Sequence, residues 1–159
     1  MLIYYGLTLY RSSLNFTKKI LSFMNKAIKP KDLYIKIYCE DTDFQGFVYH
    51  ANYLKYFERS RTEFLIDNDI NQNHLLEQNQ AFVVRAIQMK YLAPAKLEDE
   101  IVIKTEVQKN SNARLTFKHI AYCKDLSKSL CSADVEVCLI NLTTKKPQVF
   151  SNDLLLIFE

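Results

Sequence analysis

The chain has 159 residues, 48% of them hydrophobic and 25% charged, with a formal net charge of +3. That length is the usual size of one domain, long enough to bury a core without disulfides or metals, and the composition excludes a disordered chain. So small a positive charge gives no argument for nucleic acid, and no stretch has zinc-finger spacing or the aromatic-basic pattern of an RNA-binding sheet. The four cysteines, Cys39, Cys123, Cys131 and Cys138, form no C-x-x-C pair and match no zinc pattern. They read as reduced, mostly buried thiols in a reducing compartment.

Residues 1–31 carry no Asp or Glu but include Arg11, Lys18, Lys19, Lys26, Lys29 and Lys31. The apolar run Leu2–Tyr10 is too short to span a bilayer, and neither a preceding basic region nor a cleavage site makes it a signal peptide. Three readings stay open: an upstream mis-start with Met24 as initiator, a basic arm touching an anionic membrane surface, and an organelle-targeting segment. The expected division is therefore a basic extension at 1–31 and one domain at 32–159.

Leu33 to Cys39 alternates, with Leu33, Ile35 and Ile37 on one face, and predicts a strand. A polar loop follows over Glu40–Gly46. Asn52–Asn68 predicts a long helix whose Tyr53, Phe57, Ser60 and Phe64 share a buried face, flanked by Leu54, Arg61 and Leu65. Asp67–Gln80 reads as a loop with one helical turn near His74–Gln78. Four strands are then expected at Ala81–Leu92, Glu100–Lys109, Ala113–Lys124 and Ser129–Leu142, with polar turns at Lys109–Asn112 and Lys124–Ser127. Ile101, Ile103, Thr105 and Val107 share one face of their strand, as do Leu115, Phe117 and His119 of the next, and Val135, Val137 and Leu139 of the last. Pro94 and Pro147 fall at segment ends. The four strands are expected to form an antiparallel meander packed on the helix, and apolar Asn152–Phe158 to dock as a short helix or strand.

Between Glu40 and His50 stand three carboxylates, one His and Gly46, one of two glycines in the chain. This is the junction of the first strand and the helix. A helix N-terminus offers unpaired N–H groups and a positive dipole end, so amides near His50–Asn52 can hold a developing oxyanion. Asp43, seven residues upstream of His50, folds back to the same place if Gly46 permits a tight loop. A carboxylate beside such amides suffices for acyl transfer to water, as general base or as nucleophile through an anhydride. The competing reading makes Asp41 or Asp43 an ordinary Asx-turn residue. Glu58, Arg61 and Glu63 read as helix-surface pairs, and His74 and His119 as surface or core residues.

The segment Tyr38–Phe64, YCEDTDFQGFVYHANYLKYFERSRTEF, resembles the 4-hydroxybenzoyl-CoA thioesterase family, and within it the tol-pal-associated acyl-CoA thioesterase subgroup. The shared features are D-x-D, a Gly, V-Y-H-x-x-Y and E-R-x-R-T-E, and the likeness continues in FVVRAIQMKYLAPAKLEDE, Phe82–Glu100. It covers roughly Leu33–Pro147. The resemblance implies an α+β hotdog fold, one long helix wrapped by a five-stranded antiparallel sheet, paired edge to edge into homodimers and often homotetramers with sites at the interfaces. It implies hydrolysis of acyl-CoA to a free acid and coenzyme A in a cytoplasmic enzyme of lipid metabolism, or one peripheral to the inner membrane, without metal or cofactor. By match, Asp43 is the catalytic carboxylate, His50 the residue whose N–H faces the thioester carbonyl, Gly46 the loop glycine and Tyr49 a lining residue. Phe44 and Gln45 stand where relatives often carry a small residue and Gly, a departure expected to narrow or reshape the acyl entrance. Arg85, Lys90, Lys96 and Arg114 are candidate cations for the phosphates of coenzyme A, with Arg85 and Lys90 foremost. Two alternatives belong to the same fold: a hydroxyacyl-thioester dehydratase, and a non-catalytic scaffold binding acyl carrier protein or a membrane.

Overall fold

The computed structural model describes residues 27–158. Of the basic extension, residues 1–26, Met24 included, lie outside the described residues. Ile28 pairs antiparallel with Val107 through reciprocal backbone bonds of 2.9 and 2.8 Å.

The expected alternation holds in β1, Leu33–Lys36, where Ile35 is buried and Tyr34 and Lys36 are exposed. The strand is shorter than the pattern predicts, because the chain turns through a short 3-10 segment at Cys39–Asp41. The long helix α1 is Asn52–Asp67, and all four residues of its expected inner face are buried. The helical turn read near His74 is a helix, α2 (Gln72–Glu77), begun by the Asn71 side chain, which accepts from the N–H groups of Asn73 and His74.

The remaining strands are β2 (Gln80–Tyr91), β3 (Glu100–Ser111), β4 (Arg114–Cys123) and β5 (Ser129–Asn141). One antiparallel sheet runs in the order β1-β3-β4-β5-β2. The expected four-strand meander is therefore corrected: only β3, β4 and β5 are hairpin-connected neighbours. β2 leaves through the Pro94-containing connection and pairs with β5 at the opposite edge, where proline and the eight residues Leu92–Asp99 rule out a tight hairpin. Arg85 forms a bulge in β2 between Val84 and Ala86. The last segment is a helix, α3 (Asn152–Leu156), capped by Ser151 and burying Phe150, Leu154 and Phe158.

α1 lies against β3 and β4, and the core is the seam between them, with Tyr56, Phe57, Ile101, Ile103, Leu115 and Val135 fully buried. This is the helix-on-sheet arrangement the resemblance implies. A polar line runs through it. Thr105 and His119 face each other across β3 and β4. Arg61 donates to His119 Nε2 at 3.3 Å, so Nδ1 carries the imidazole proton and donates to Thr105 Oγ1 at 2.9 Å, and the Thr105 hydroxyl donates to Ser60 Oγ at 2.7 Å. His119 is stacked between Phe57 and Phe117, with ring centroids 4.9 and 5.9 Å away. Burial, and then the Arg61 charge, lowers its pKa to about 3. His119 is thus a satisfied neutral core residue, and His74 lies on the surface.

Of the thiols, all four are free, with Cys131 and Cys138 buried, Cys123 partly so and Cys39 exposed. Among the described residues no helix is long and apolar enough to cross a membrane, and no group of three or more His, Cys, Asp or Glu is arranged to hold a metal.

Candidate active site

Between the 3-10 turn and α1 the chain folds back on itself as a short hairpin. Thr42 pairs with Val48, the Asp43 N–H donates to Phe47 O at 2.8 Å, and the Tyr49 N–H donates to Asp41 O at 2.8 Å. The tip turns because the Gly46 N–H donates to Asp43 O at 3.0 Å. Gly46 has φ +80°, in the left-handed region, with nothing within 4 Å of where a Cβ would stand. A side chain is excluded there by backbone strain and not by crowding. The hairpin lies against the connection after β2, through the Val48 N–H to Ala95 O at 2.9 Å and a bridge between Phe47 and Lys96.

Asp43 is half-buried at the base of this tip. Its Oδ1 accepts from the N–H of Gln45 at 2.9 Å and of Phe47 at 3.4 Å. The Asx-turn reading and the catalytic reading are therefore compatible: one carboxylate oxygen holds the loop, and Oδ2 has no hydrogen bond among the described residues. Asp41 has a different task, accepting the Tyr38 N–H on Oδ2 at 2.9 Å and two further donors on its carbonyl.

The other arm of the hairpin runs directly into α1. The helix begins without a side-chain cap, its N-cap being Ala51. Among the described residues the backbone N–H groups of His50 and Ala51 have no protein partner, so the start of α1 presents two open donors and the positive end of a dipole. The His50 ring is exposed, 4.4 Å from the Tyr49 ring and 6.2 Å, edge-on, from that of Tyr91. Tyr91 at the end of β2 donates its hydroxyl to His50 O at 3.2 Å. Asp43, Gly46, Tyr49 and His50 are thus brought together on one hairpin.

Tyr53 and Tyr56, on the first turns of α1, are buried with hydroxyls that have no hydrogen-bond partner among the described residues. Burial pushes the Tyr53 phenol up to about 12. Burial, and then the Asp41 carboxylate lying near without closing a hydrogen bond, raises that of Tyr56 further. Both phenols therefore stay protonated near neutrality.

The candidate phosphate-binding cations are dispersed. Arg85 donates to Glu136 at 2.8 Å, and Arg114 lies 3.8 Å from the same carboxylate. Arg85 stands six residues from Tyr91, roughly 20 Å along the strand, so one chain does not bring it to His50. Lys90 is exposed beside Tyr91, and Lys96 pairs with the hairpin itself. Phe44 at the tip is 96% exposed and narrows nothing within one chain. Residue patterns passed over Asn52 and Tyr91, which tie the hairpin and β2 to the start of α1. Each reads as part of a helix or strand, and only pairing across the fold reveals the contact.

Known proteins similar to this chain include thioesterases. Residues 38–158 match the model of the thioesterase-like superfamily. The acyl-CoA thioesterase YbgC of Haemophilus influenzae is 39% identical over 120 residues, 75% of this chain and 87% of that protein. The acyl-CoA thioester hydrolase YbgC of Escherichia coli O6:H1 is 42% identical over 83 residues, 52% of this chain and 62% of that protein. Slr0204, a 1,4-dihydroxy-2-naphthoyl-CoA thioesterase from Synechocystis, shares the fold with a TM-score of 0.76 at 16% identity, over 84% of this chain and 96% of that one. The fold is a hotdog fold, and the chain belongs to the thioesterase-like superfamily.

Proposed function

We propose that this protein hydrolyses acyl-CoA thioesters to the free acid and coenzyme A, with Asp43 as the reactive carboxylate and the amides of His50 and Ala51 as the oxyanion site. The observation that carries the reading is the hairpin. It sets a carboxylate with one uncommitted oxygen and a helix start with two open N–H donors on the same short loop. As general base, Asp43 takes a proton from water while the oxygen attacks the thioester carbonyl. The carbonyl oxygen gains charge against the amides, and the tetrahedral species breaks its C–S bond as the proton passes to the leaving sulfur. As nucleophile, Asp43 itself attacks, thiol leaves, and water opens the resulting anhydride. The His50 side chain flanks the same place and its role is secondary to its backbone.

Thiol release from short, medium, long and aromatic acyl-CoAs is the test. Asp43→Asn is expected to lower kcat by about 10²–10⁴-fold while the protein stays folded. Near wild-type turnover in this variant would sink the mechanism. A single turnover in ¹⁸O water separates the two routes: label in the Asp43 carboxylate after the anhydride opens marks the nucleophile. The same acyl group presented on coenzyme A and on acyl carrier protein decides the carrier.

The proposal includes a pair of chains meeting along β2. That strand is a sheet edge, and from Val84 to Gln88 it is exposed on both faces, apolar Val84 and Ile87 included. An edge of this kind invites a second strand.

A further inference from the structure

The hairpin that carries Asp43 is fastened to the start of α1 by one buried side chain. Asn52 is 5% exposed. Its backbone N–H donates to Tyr49 O at 2.8 Å, and its Nδ2 donates to Asp41 O at 2.9 Å. The Tyr49 N–H closes a triangle onto the same Asp41 carbonyl at 2.8 Å. Asp41 and Tyr49 stand on opposite arms of the hairpin, so Asn52 is bonded to both, while Asp43 follows one arm and His50 the other.

We infer that Asn52 is a positioning residue for the hydrolysis, its carboxamide setting where the Asp43 carboxylate stands relative to the amides of His50 and Ala51; this rests on the reading of the site just proposed. Asp41 O can only accept, so the amide must turn its NH₂ toward it, and the orientation of Asn52 is fixed by chemistry. Without that donor the first arm keeps a single bond to the second at this level, and the tip between them turns on Gly46, the residue with the widest conformational range. A misplacement of about 1 Å between reacting groups costs on the order of a hundredfold in rate. The buried polar side chains of the core, Ser60, Arg61, Thr105 and His119, bond one another, whereas Asn52 bonds outward to the loop that holds the chemistry.

The discriminating variant is Asn52→Asp, equal in shape but without the donor when ionised. At about pH 8 its kcat on a good acyl-CoA substrate is expected to fall about tenfold or more, with KM within about twofold of wild type, because nothing that holds the substrate has changed. As the pH is lowered toward about 5, the ratio of variant to wild-type kcat should rise, because a protonated carboxyl regains an O–H for Asp41 O. The titrating and charged groups around the hairpin include Glu40, Asp41, Asp43, His50, Tyr56 and Lys96. They are present in both proteins, and Asn52→Ala, which adds no charge beside them, shows what their own titration does to the ratio. Asn52→Ala serves if the Asp variant does not fold, with the same loss in kcat and no rise in the ratio on acidification. A pH-independent ratio for Asn52→Asp overturns the inference, and so does a loss confined to KM or one equal to the loss of folded protein. Asp43→Asn run alongside separates the two failures. If it turns over like wild type, the reading of the site falls and this role with it. If it is inactive while Asn52→Asp keeps wild-type kcat throughout, this inference alone falls.

Discussion

Gly46 shows how a single position can be legible and its reason hidden. Its scarcity and its place between an aspartate and a histidine mark it in the sequence, and the structure supplies the cause, a backbone at φ +80° in open space. An alanine there meets no atom but adopts a conformation unfavourable by about 1–2 kcal/mol. Gly46→Ala is expected to lower kcat and stability together by chemical denaturation and thiol-release assay, and Gly46→Asn to lose less, since asparagine visits this region readily. Equal behaviour of the two variants would show that backbone strain is not the reason for the glycine. Asp43 is the opposite case: both readings of it could be written from its neighbours, and only the hydrogen bonds show that one carboxylate oxygen serves the loop while the other is open.

At the scale of elements, the helix–sheet seam is governed by its polar line. His119 is held neutral, its pKa lowered from 6.5 to about 3. In the unfolded chain the imidazole protonates below about 6.5, so between these values the unfolded state binds more protons. The sign follows: the contribution of neutral His119 is complete above about pH 6.5 and is lost as the pH falls toward 3, at up to about 1.4 kcal/mol per pH unit. Urea denaturation of wild type and His119→Gln across that range checks this. The stability advantage of wild type is expected to narrow on acidification, and parallel curves would refute it. The element boundaries also show what pattern reading reaches. The inner face of α1 is a property of residue spacing, and it is buried as expected. The 3-10 turn at Cys39 is not, because the strand's alternation continues unbroken through Tyr38.

For the whole molecule, the exposed β2 edge has the largest consequence. If two copies meet there, Ile87→Lys, at a position 45% exposed in the single chain, is expected to yield a folded monomer in sedimentation experiments. Its turnover is expected to fall, since charge on both sides of the pairing axis repels. A variant that sediments like wild type would place the contact elsewhere. The distance from Arg85 to His50 belongs to the same question. One chain separates them, and antiparallel pairing of two β2 strands would reverse which end of one strand lies beside which end of the other.

By itself the sequence determined the periodicities, hence one long helix, alternating strands and their buried faces, because side-chain spacing answers directly to helix and sheet geometry. It also marked the Glu40–Tyr53 segment as the densest set of reactive residues, because its carboxylates, glycine and histidine fall where the first strand gives way to the helix. Strand order was decided by the tertiary structure. Pairing β2 with β5 instead of β3 depends on where a connection can cross the sheet, which the residues within β2 do not specify. The Asn52 and Tyr91 contacts were decided there too, since each joins parts of the chain that meet only after the helix has docked, where a hydrogen bond depends on distances that spacing along one segment does not contain.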